Sequence, residues 1–423
     1  MKMIIDNPFI HTSNGYSYLN AKIYIGDYCR EVTYKVEEKY KEALNSKKSD
    51  AFVLVLLYYA LVNGYSIEWR APCSEELIFQ LTNYYIPILS DEIPFFKPIE
   101  LNGPMTNNSI LNNGKGIATA ISGGVDSTYS IYKYLSTSFE SKKLTHVVFT
   151  DCFVYGFSEA YKKDFYDYYL PEMEKESTEL GLDFIYIGCN VDEHFGIAPF
   201  CDKERGTINN YGLYTLKYCS LAYALANLIG IYYFSSGQPA HDFSWVSKDT
   251  DSYDLFSMAM ISSKDLQFYS SGSEVTRSQK VEKIADWRFA QQHLQVCAMR
   301  HDNNCGLCNK CIRTMSELYS FGKLELFSDR FPVDDYLHNF SKRMGYLIWQ
   351  AKTGHLDEIQ LLKEMKKKKI SIPLSAFLWS LFYSIKSMLR NTLKDNRCAR
   401  LVYEKLNLGK FIYGDLYKYY KKL

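Results

Sequence analysis

Six consecutive residues, Ser122-Gly-Gly-Val-Asp-Ser127, combine two glycines with two hydroxyls and one carboxylate. The glycines lack a Cβ atom, so their backbone can approach a phosphate closely. At the start of a helix, such a loop directs backbone N–H groups and the positive end of the helix dipole toward an anion. Ser122 and Ser127 add hydroxyl donors, and Asp126 can cap the helix or hold Mg²⁺ beside phosphates. The segment therefore predicts a phosphate-binding loop.

The flanking sequence supplies the elements that would position this loop. Residues 117–121 are apolar or β-forming, and residues 128–135 continue well as a helix. No lysine ends the loop, and no G-x-x-x-x-G-K-[ST] motif occurs in the chain, which argues against transfer of a γ-phosphate. A glycine turn with a capping aspartate is the simpler alternative, but strand, loop and helix in this order favour phosphate binding.

Four cysteines further along the chain form a second chemical signal. Cys297, Cys305, Cys308 and Cys311 follow the spacing C-x7-C-x2-C-x2-C, and Gly306 permits a sharp turn. Four thiolates on two tight turns suit tetrahedral Zn²⁺. The alternatives are an iron–sulfur site, although ferredoxin spacing places the fourth cysteine downstream rather than upstream, and redox-active thiols. The pattern predicts a structural zinc site.

From residue 116 the chain alternates apolar strands with helices. The predicted elements are strands at 117–121, 145–150, 184–187 and 231–235 and helices at 127–135, 159–180 and 211–229. Short apolar strands joined by long crossovers favour a doubly wound α/β fold with a parallel sheet between helices. Ligands of such sheets bind at the carboxyl ends of the strands, so Asp151 and Gly237 are predicted to lie on the same rim as the phosphate loop.

A chain of 423 residues should hold two or three domains. We predict an N-terminal α+β domain (1–113), a central domain with the loop and the cysteines (114–325), and a C-terminal helical region (326–423). The polar, turn-rich stretch 101–116 is predicted to be a linker. Residues 238–273 are predicted to form a long loop that walls the pocket of a second substrate.

Composition limits the class of partner. The 49 basic and 48 acidic residues leave a formal charge of +1, so nucleic acid is not an expected partner. The run Lys363–Lys369 is predicted to be a solvated helix face. No apolar run is long enough for a membrane span, and residues 1–8 show no secretory pattern. We expect a cytoplasmic protein with no membrane contact, whose flanking regions bind partner proteins.

The six-residue segment matches the S-G-G-x-D-S signature of the PP-loop ATP pyrophosphatases, which cleave ATP between the α and β phosphates. The order of this signature, then Val275-Thr-Arg-Ser-Gln-Lys280, then the four cysteines resembles the 7-cyano-7-deazaguanine synthase family. The resemblance covers about residues 116–322. It implies an adenine nucleotide alpha-hydrolase-like, Rossmann-like fold, with ATP and Mg²⁺ at the loop and Zn²⁺ on the cysteines.

The resemblance and the rim together assign site residues. The predicted nucleotide-binding residues are Ser122, Gly123, Gly124, Val125, Asp126, Ser127, Asp151 and Gly237. The predicted catalytic residues are Asp126, Ser127, Arg277 and Lys280, with Lys217 and Lys264 as further cations that could stabilise pyrophosphate. The implied reaction is adenylation of a carboxylate, with the acyl group passed to ammonia or to a protein amine in a carbon–nitrogen ligase.

Two departures from the family leave the substrate open. Thr276-Arg277 stands where the family has Thr-Lys, and Gln238-Pro-Ala-His-Asp-Phe243 does not match its substrate loop. A 7-deazapurine carboxylate is the first expectation, and longer proteins of this build resemble components of bacterial antiphage defence systems. The alternatives are a tRNA-thiolating PP-loop enzyme, which the near-zero charge disfavours, and a non-catalytic nucleotide-binding scaffold.

Overall fold

A computed structural model describes residues 1–108, 116–152, 159–196, 200–202, 206–208, 213–245, 250–297, 299 and 302–395. The chain forms two compact units, each built from three segments. The first comprises Met1–Ser122, Ser130–Gly156 and Met173–Thr276, and the second comprises Gly123–Tyr129, Phe157–Glu172 and Arg277–Leu423. Among the described residues, no helix has both the length and the apolar character needed to cross a membrane.

Fifteen strands are found in the described residues. In chain order they are β1 (Lys2–Ile5), β2 (Phe9–Ser13), β3 (Tyr16–Ile25), β4 (Tyr28–Glu37), β5 (Ser66–Trp69), β6 (Cys73–Ser74), β7 (Leu101–Asn102), β8 (Met105–Thr106), β9 (Gly116–Ala120), β10 (His146–Thr150), β11 (Asp183–Cys189), β12 (Phe200–Asp202), β13 (Gly206–Ile208), β14 (Ile229–Ser235) and β15 (Gln267–Ser271).

The same residues contain sixteen α-helices. They are α1 (Asp50–Asn63), α2 (Glu75–Gln80), α3 (Ile86–Glu92), α4 (Val125–Leu135), α5 (Glu159–Asp164), α6 (Leu170–Glu179), α7 (Val191–Phe195), α8 (Thr215–Ala224), α9 (Asp254–Ile261), α10 (Arg277–Ile284), α11 (Arg288–His293), α12 (Asn309–Ser320), α13 (Val333–His338), α14 (Phe340–Lys352), α15 (Leu356–Lys367) and α16 (Leu374–Asp395).

Five parallel strands form one half of the large sheet in the first unit. Their order is β15-β14-β9-β10-β11, and every neighbouring pair is parallel. The four strands predicted from the apolar runs are confirmed, each within about two residues of its expected bounds. Because β9 comes first in the chain and pairs with both β10 and β14, the chain order reverses beside β9.

The N-terminal strands extend the same sheet. β4 pairs antiparallel with β11, and β3 and β1 follow it toward β5 and β7. The predicted sheet was therefore too small, since the expected parallel strands are only part of it. The apolar helix α1 is buried, and the Tyr34 hydroxyl of β4 donates to the Ala51 carbonyl of α1 at 3.0 Å.

Two predicted loops contain regular structure. Residues 238–273, expected to be one long loop, include α9 and the fifth parallel strand, β15. Within that stretch, Trp245 packs its ring against Phe243, Tyr253 and Phe256, which is a core role. The expected linker 101–116 begins with β7 and β8, which pair with β5 and β6; its residues 109–115 lie outside the described part of the chain.

Residues 326–395, the described part of the predicted C-terminal helical region, contain the helices α13 to α16. Met344 and Leu347 of α14 are buried against Leu361 and Met365 of α15 and Ile312 of α12. The sequence pattern predicts two helices in this region, at 371–389 and 391–406. α16 begins at Leu374, three residues after the first predicted start, and continues to Asp395 without the expected break. Most of the second predicted helix, at 391–406, falls beyond the described residues.

Candidate functional site

Gly123 has a backbone conformation that residues other than glycine rarely adopt. Its φ angle is +63°, in the left-handed region that favours glycine. Its carbonyl accepts a hydrogen bond from the Gln295 backbone N–H at 2.8 Å, and an added Cβ would lie 3.0 Å from Gln295 Cβ. Glycine is therefore favoured at this position for two reasons. The φ angle is positive, and the segment that precedes Cys297 leaves little room for a side chain.

The helix after the loop begins as the motif predicts. The Gly124 carbonyl accepts the Thr128 backbone N–H at 2.9 Å and the Ser127 hydroxyl at 3.1 Å. Val125 is buried and anchors the first turn. α4 is 11 residues long, so the positive end of its dipole lies at Gly124 and Val125. This geometry suits an anion.

Asp126 forms the centre of a buried charge cluster. Its Oδ1 accepts from Lys280 Nζ at 2.8 Å, and its Oδ2 lies 3.5 Å from Arg277 Nη1. The Lys280 and Arg277 side chains are 0% and 9% exposed, against 28% for Asp126. Burial acts to raise the pKa of Asp126, but Lys280 and Arg277 outweigh it and the pKa lies below its usual range. Asp126 is therefore held ionised between two cations.

A buried glutamate on α12 completes this cluster. Glu317 Oε2 lies 3.7 Å from Arg277 Nε, and Glu317 Oε1 accepts from the Ser278 hydroxyl at 3.3 Å. Thr314, also on α12, accepts from Arg277 Nη2 at 3.2 Å. Burial raises the pKa of Glu317 to about 7, although Arg277 and Arg313 act to lower it.

Sequence reasoning missed the α12 residues. Lys310, Arg313, Thr314 and Glu317 recur at helical spacing, which indicates one polar face on α12. That spacing was available in the sequence. The spacing does not show that this face is directed into the protein. There Glu317 is fully buried and forms an ion pair with Arg277.

We expect Glu317 to make stability depend on pH. Its pKa of about 7 in the folded state exceeds the usual value near 4.5, so the folded state binds more protons between these values. The free energy of unfolding should then fall as pH rises from about 4.5 to 7. In Glu317→Gln this contribution should disappear, so the variant should gain about 3 kcal/mol relative to wild type over that interval.

Urea unfolding of both proteins at several pH values between 5 and 8 measures this difference. Glu325→Gln, which alters an exposed glutamate in the same unit, is the matched control and should keep the wild-type pH profile. Parallel stability curves for wild type and Glu317→Gln would contradict the expectation.

The four cysteines predicted to bind zinc converge. The sulfurs of Cys297, Cys305, Cys308 and Cys311 lie within 4.8 Å of one another, and the group could hold a metal ion. The Cys311 sulfur is 3.9 Å from that of Cys305 and 3.4 Å from that of Cys308. Four ligands at the Zn–S distance of about 2.3 Å in a tetrahedron would be about 3.8 Å apart, so the set fits Zn²⁺.

Backbone donors support the same group. Leu307 and Cys308 donate backbone N–H bonds to the Cys305 sulfur at 3.4 and 3.3 Å. Hydrogen bonds from the other three thiols hold the pKa of Cys305 well below its usual range, while hydrogen bonds within the same group raise the pKa of Cys308 and Cys311. Gly306 has a φ of +67°, and an added Cβ would lie 2.3 Å from Pro332 Cγ, so only glycine fits this turn.

Asn304 fixes the approach to the first cysteine. Its Oδ1 accepts the backbone N–H groups of Val296 and Cys297 at 2.9 and 3.1 Å, and its Nδ2 donates to the Leu294 carbonyl at 2.8 Å. Since Gln295 lies within this span and bonds to Gly123, one short segment contacts both the Ser122–Ser127 loop and the cysteine group.

Three other predicted residues belong to the first unit. Ser122, Asp151 and Gly237 follow β9, β10 and β14, so they lie at the carboxyl ends of three neighbouring parallel strands, as predicted. Asp151 accepts from the Tyr186 hydroxyl at 2.6 Å. At Gly237 an added Cβ would lie 2.6 Å from Asp251 Oδ2, which leaves no room for a side chain.

The two additional cations have neighbours of their own. Lys217 is buried and pairs with Asp192, with Nζ 2.6 Å from Oδ2. Lys264 is exposed, and its backbone N–H bonds to Glu76 at 2.7 Å. The structure thus brings Arg277 and Lys280 to Asp126, while Lys217 and Lys264 lie in the other unit and their contact with pyrophosphate stays a prediction.

No protein-family model, curated protein or solved structure matches the chain.

Proposed function

We propose that this protein binds ATP at the Ser122–Ser127 loop and cleaves it to AMP and pyrophosphate while activating a carboxylate. The position of that segment carries the proposal. It follows β9, where the order of the parallel strands reverses, and it opens α4. Nucleotides of Rossmann-like sheets bind at such a reversal. The parallel strands that meet beside this segment are the observation that supports the proposal.

The proposed reaction has two balanced steps. A carboxylate oxygen attacks the α-phosphorus, an acyl–phosphate bond forms, and the bond to the bridging oxygen breaks so that pyrophosphate leaves. An amine nitrogen then attacks the acyl carbon, AMP leaves with the bonding electron pair, and the amine loses a proton. Glycine backbone, the α4 dipole and the Lys280–Arg277 pair would stabilise the negative charge that develops on pyrophosphate.

Asp126 is the residue we assign to Mg²⁺. In the structure it already balances two cations, and a triphosphate would bring the negative charge that frees part of this carboxylate for a metal. Mg²⁺ would neutralise phosphate oxygens and orient the leaving group. The cysteine group, which we assign to Zn²⁺, would have a structural role, because all four ligand positions are filled by protein.

For the substrate we propose a 7-deazapurine carboxylate, with ammonia or a protein amine as acceptor. This assignment rests on the resemblance to the 7-cyano-7-deazaguanine synthase family. A cytoplasmic enzyme of a bacterial antiphage defence system is the proposed setting. The partner proteins would bind through the N- and C-terminal regions.

Nucleotide chromatography tests the bond that breaks. Purified protein is incubated with ATP, Mg²⁺, ammonium and candidate carboxylates, beginning with 7-carboxy-7-deazaguanine. We expect equal amounts of AMP and pyrophosphate, formed only when a carboxylate is present, because no adenylate can form without one. A parallel reaction without carboxylate measures contaminating hydrolase activity.

The outcome of the assay distinguishes the proposed reaction from its alternatives. ADP in place of AMP would overturn the proposal, and absence of turnover with ATP still bound would favour the non-catalytic scaffold. AMP formed with a different acid would change the substrate and leave the reaction type standing.

A further inference from the structure

α16 presents two different faces. Ala376 and Ser380 are fully buried on the face that packs against α14. At Gly345 of α14, an added Cβ would lie 2.3 Å from Trp379 Cβ and 2.7 Å from the Ala376 carbonyl oxygen, so the two helix backbones approach closely. This tight contact fixes the orientation of α16 and leaves its opposite face directed outward.

The outward face is apolar. Leu374, Leu378, Leu381 and Ile385 are 85%, 71%, 58% and 48% exposed. Their spacing of four, three and four residues is the heptad spacing that one helix presents to another. Isolated exposed leucines are common on protein surfaces, but a continuous stripe of this kind marks an interaction site.

An open cavity continues this stripe. Its volume is about 470 Å³, and its apolar lining is Ile348, Leu362, Ile370, Ile372 and Phe377. Phe377 is 50% exposed and belongs to α16, so the stripe and the cavity share one surface. A cavity of this size accepts a large apolar side chain. A flat lipid surface would leave it empty, whereas a protein helix can fill it.

The charges around this surface are basic. Exposed Lys366 and Lys369 border the cavity. α16 contains no Asp or Glu before its last residue, Asp395, whereas it carries Lys386, Arg390 and Lys394. A second copy of this chain would bring the same basic charges together. Residues 396–423 contain seven Lys and Arg against two Asp and Glu, so they too are a poor electrostatic match.

We propose that the α16 stripe and the adjoining cavity form the docking surface for an acidic amphipathic helix of a partner protein. The helix would place apolar residues at heptad spacing against Leu378, Leu381 and Ile385, and one large apolar side chain in the cavity. Its carboxylates would face Lys366 and Lys369. The proposal does not depend on the ATP chemistry above.

Fluorescence anisotropy with the full chain tests this docking surface. The probe is a labelled synthetic helix of about three heptads with leucine at the apolar positions, one tryptophan and glutamate at the flanking positions. A second peptide has lysine in place of every glutamate. We expect the glutamate peptide to bind at least tenfold more tightly than the lysine peptide, with the difference shrinking as salt rises.

Two variants locate the contact. Leu378→Ser/Leu381→Ser should weaken binding of the glutamate peptide by tenfold or more, since both anchors are lost. Lys366→Glu/Lys369→Glu should reverse the preference between the two peptides. Leu326→Ser is the matched control, because Leu326 is a similarly exposed leucine at 46% outside this surface, and it should bind like wild type.

The competing occupants give different results. Dimerisation in sedimentation experiments that Leu378→Ser/Leu381→Ser abolishes would assign the face to a second copy and overturn the proposal. Binding to phosphatidylserine vesicles without binding to the peptide would assign it to a membrane. Binding of the peptide only after truncation beyond Asp395 would show that residues 396–423 occupy the face. Equal affinity for the two peptides would also overturn the proposal.

Discussion

Replacing Asp126 with asparagine is expected to lower the rate of AMP formation by on the order of a hundredfold or more. The substitution keeps the size of the side chain but removes the charge that we assign to Mg²⁺ and that orients Lys280 and Arg277. If Asp126 holds the metal, the Mg²⁺ concentration at half-maximal rate should rise as well. Both quantities come from AMP assays over a Mg²⁺ titration.

Stability needs a separate control in this experiment. Lys280 has a fully buried side chain, and Asp126→Asn removes the carboxylate charge that its ammonium contacts. Breaking a buried pair in this way typically costs about 3–5 kcal/mol, although the asparagine oxygen can still accept a hydrogen bond. The double variant Asp126→Asn/Lys280→Met removes both charges and should recover part of the loss. A folded Asp126→Asn protein with wild-type turnover would contradict the assignment.

Loss of the cysteine-bound metal should have the largest effect on stability. We expect one zinc per chain by elemental analysis, and none in Cys308→Ser/Cys311→Ser. A metal on these cysteines would join the start of α12 to the segment before Asn304, so its loss should lower the free energy of unfolding by several kcal/mol and the Tm by about 10 °C or more.

A cysteine outside the group provides the control. Cys29 is exposed and distant in sequence, and Cys29→Ser should retain both the zinc and the wild-type Tm. Iron with visible absorbance would point to a cluster instead. If the purified protein contains no metal and all four thiols titrate freely, the predicted metal site does not exist.

Local signals allowed the loop and the cysteine group to be predicted. The apolar run of β9, the two glycines and the polar start of α4 are contiguous, so short-range rules suffice. The turn at Gly306 and the cysteine spacing are likewise local.

Long-range features escaped prediction for physical reasons. The pairing of β4 with β11 joins residues about 150 positions apart, and no local pattern encodes it. β15 is a short edge strand with mixed polarity, so it lacks the apolar run that revealed its neighbours. Glu317 is a charged residue on a polar helix face, and such a residue is ordinarily assigned to solvent. Only the fold shows that it faces Arg277.

The hydrogen bond between Gln295 and Gly123 has a consequence for synthesis. These residues are 172 positions apart, so the Ser122–Ser127 loop leaves the ribosome long before Gln295 is synthesised. At roughly 5–20 residues per second, the interval is about 10–35 s. A nascent chain lacks, during that time, the contact that holds Gly123 in its left-handed conformation. We therefore expect that a truncated chain ending before Gln295 neither binds nor cleaves ATP.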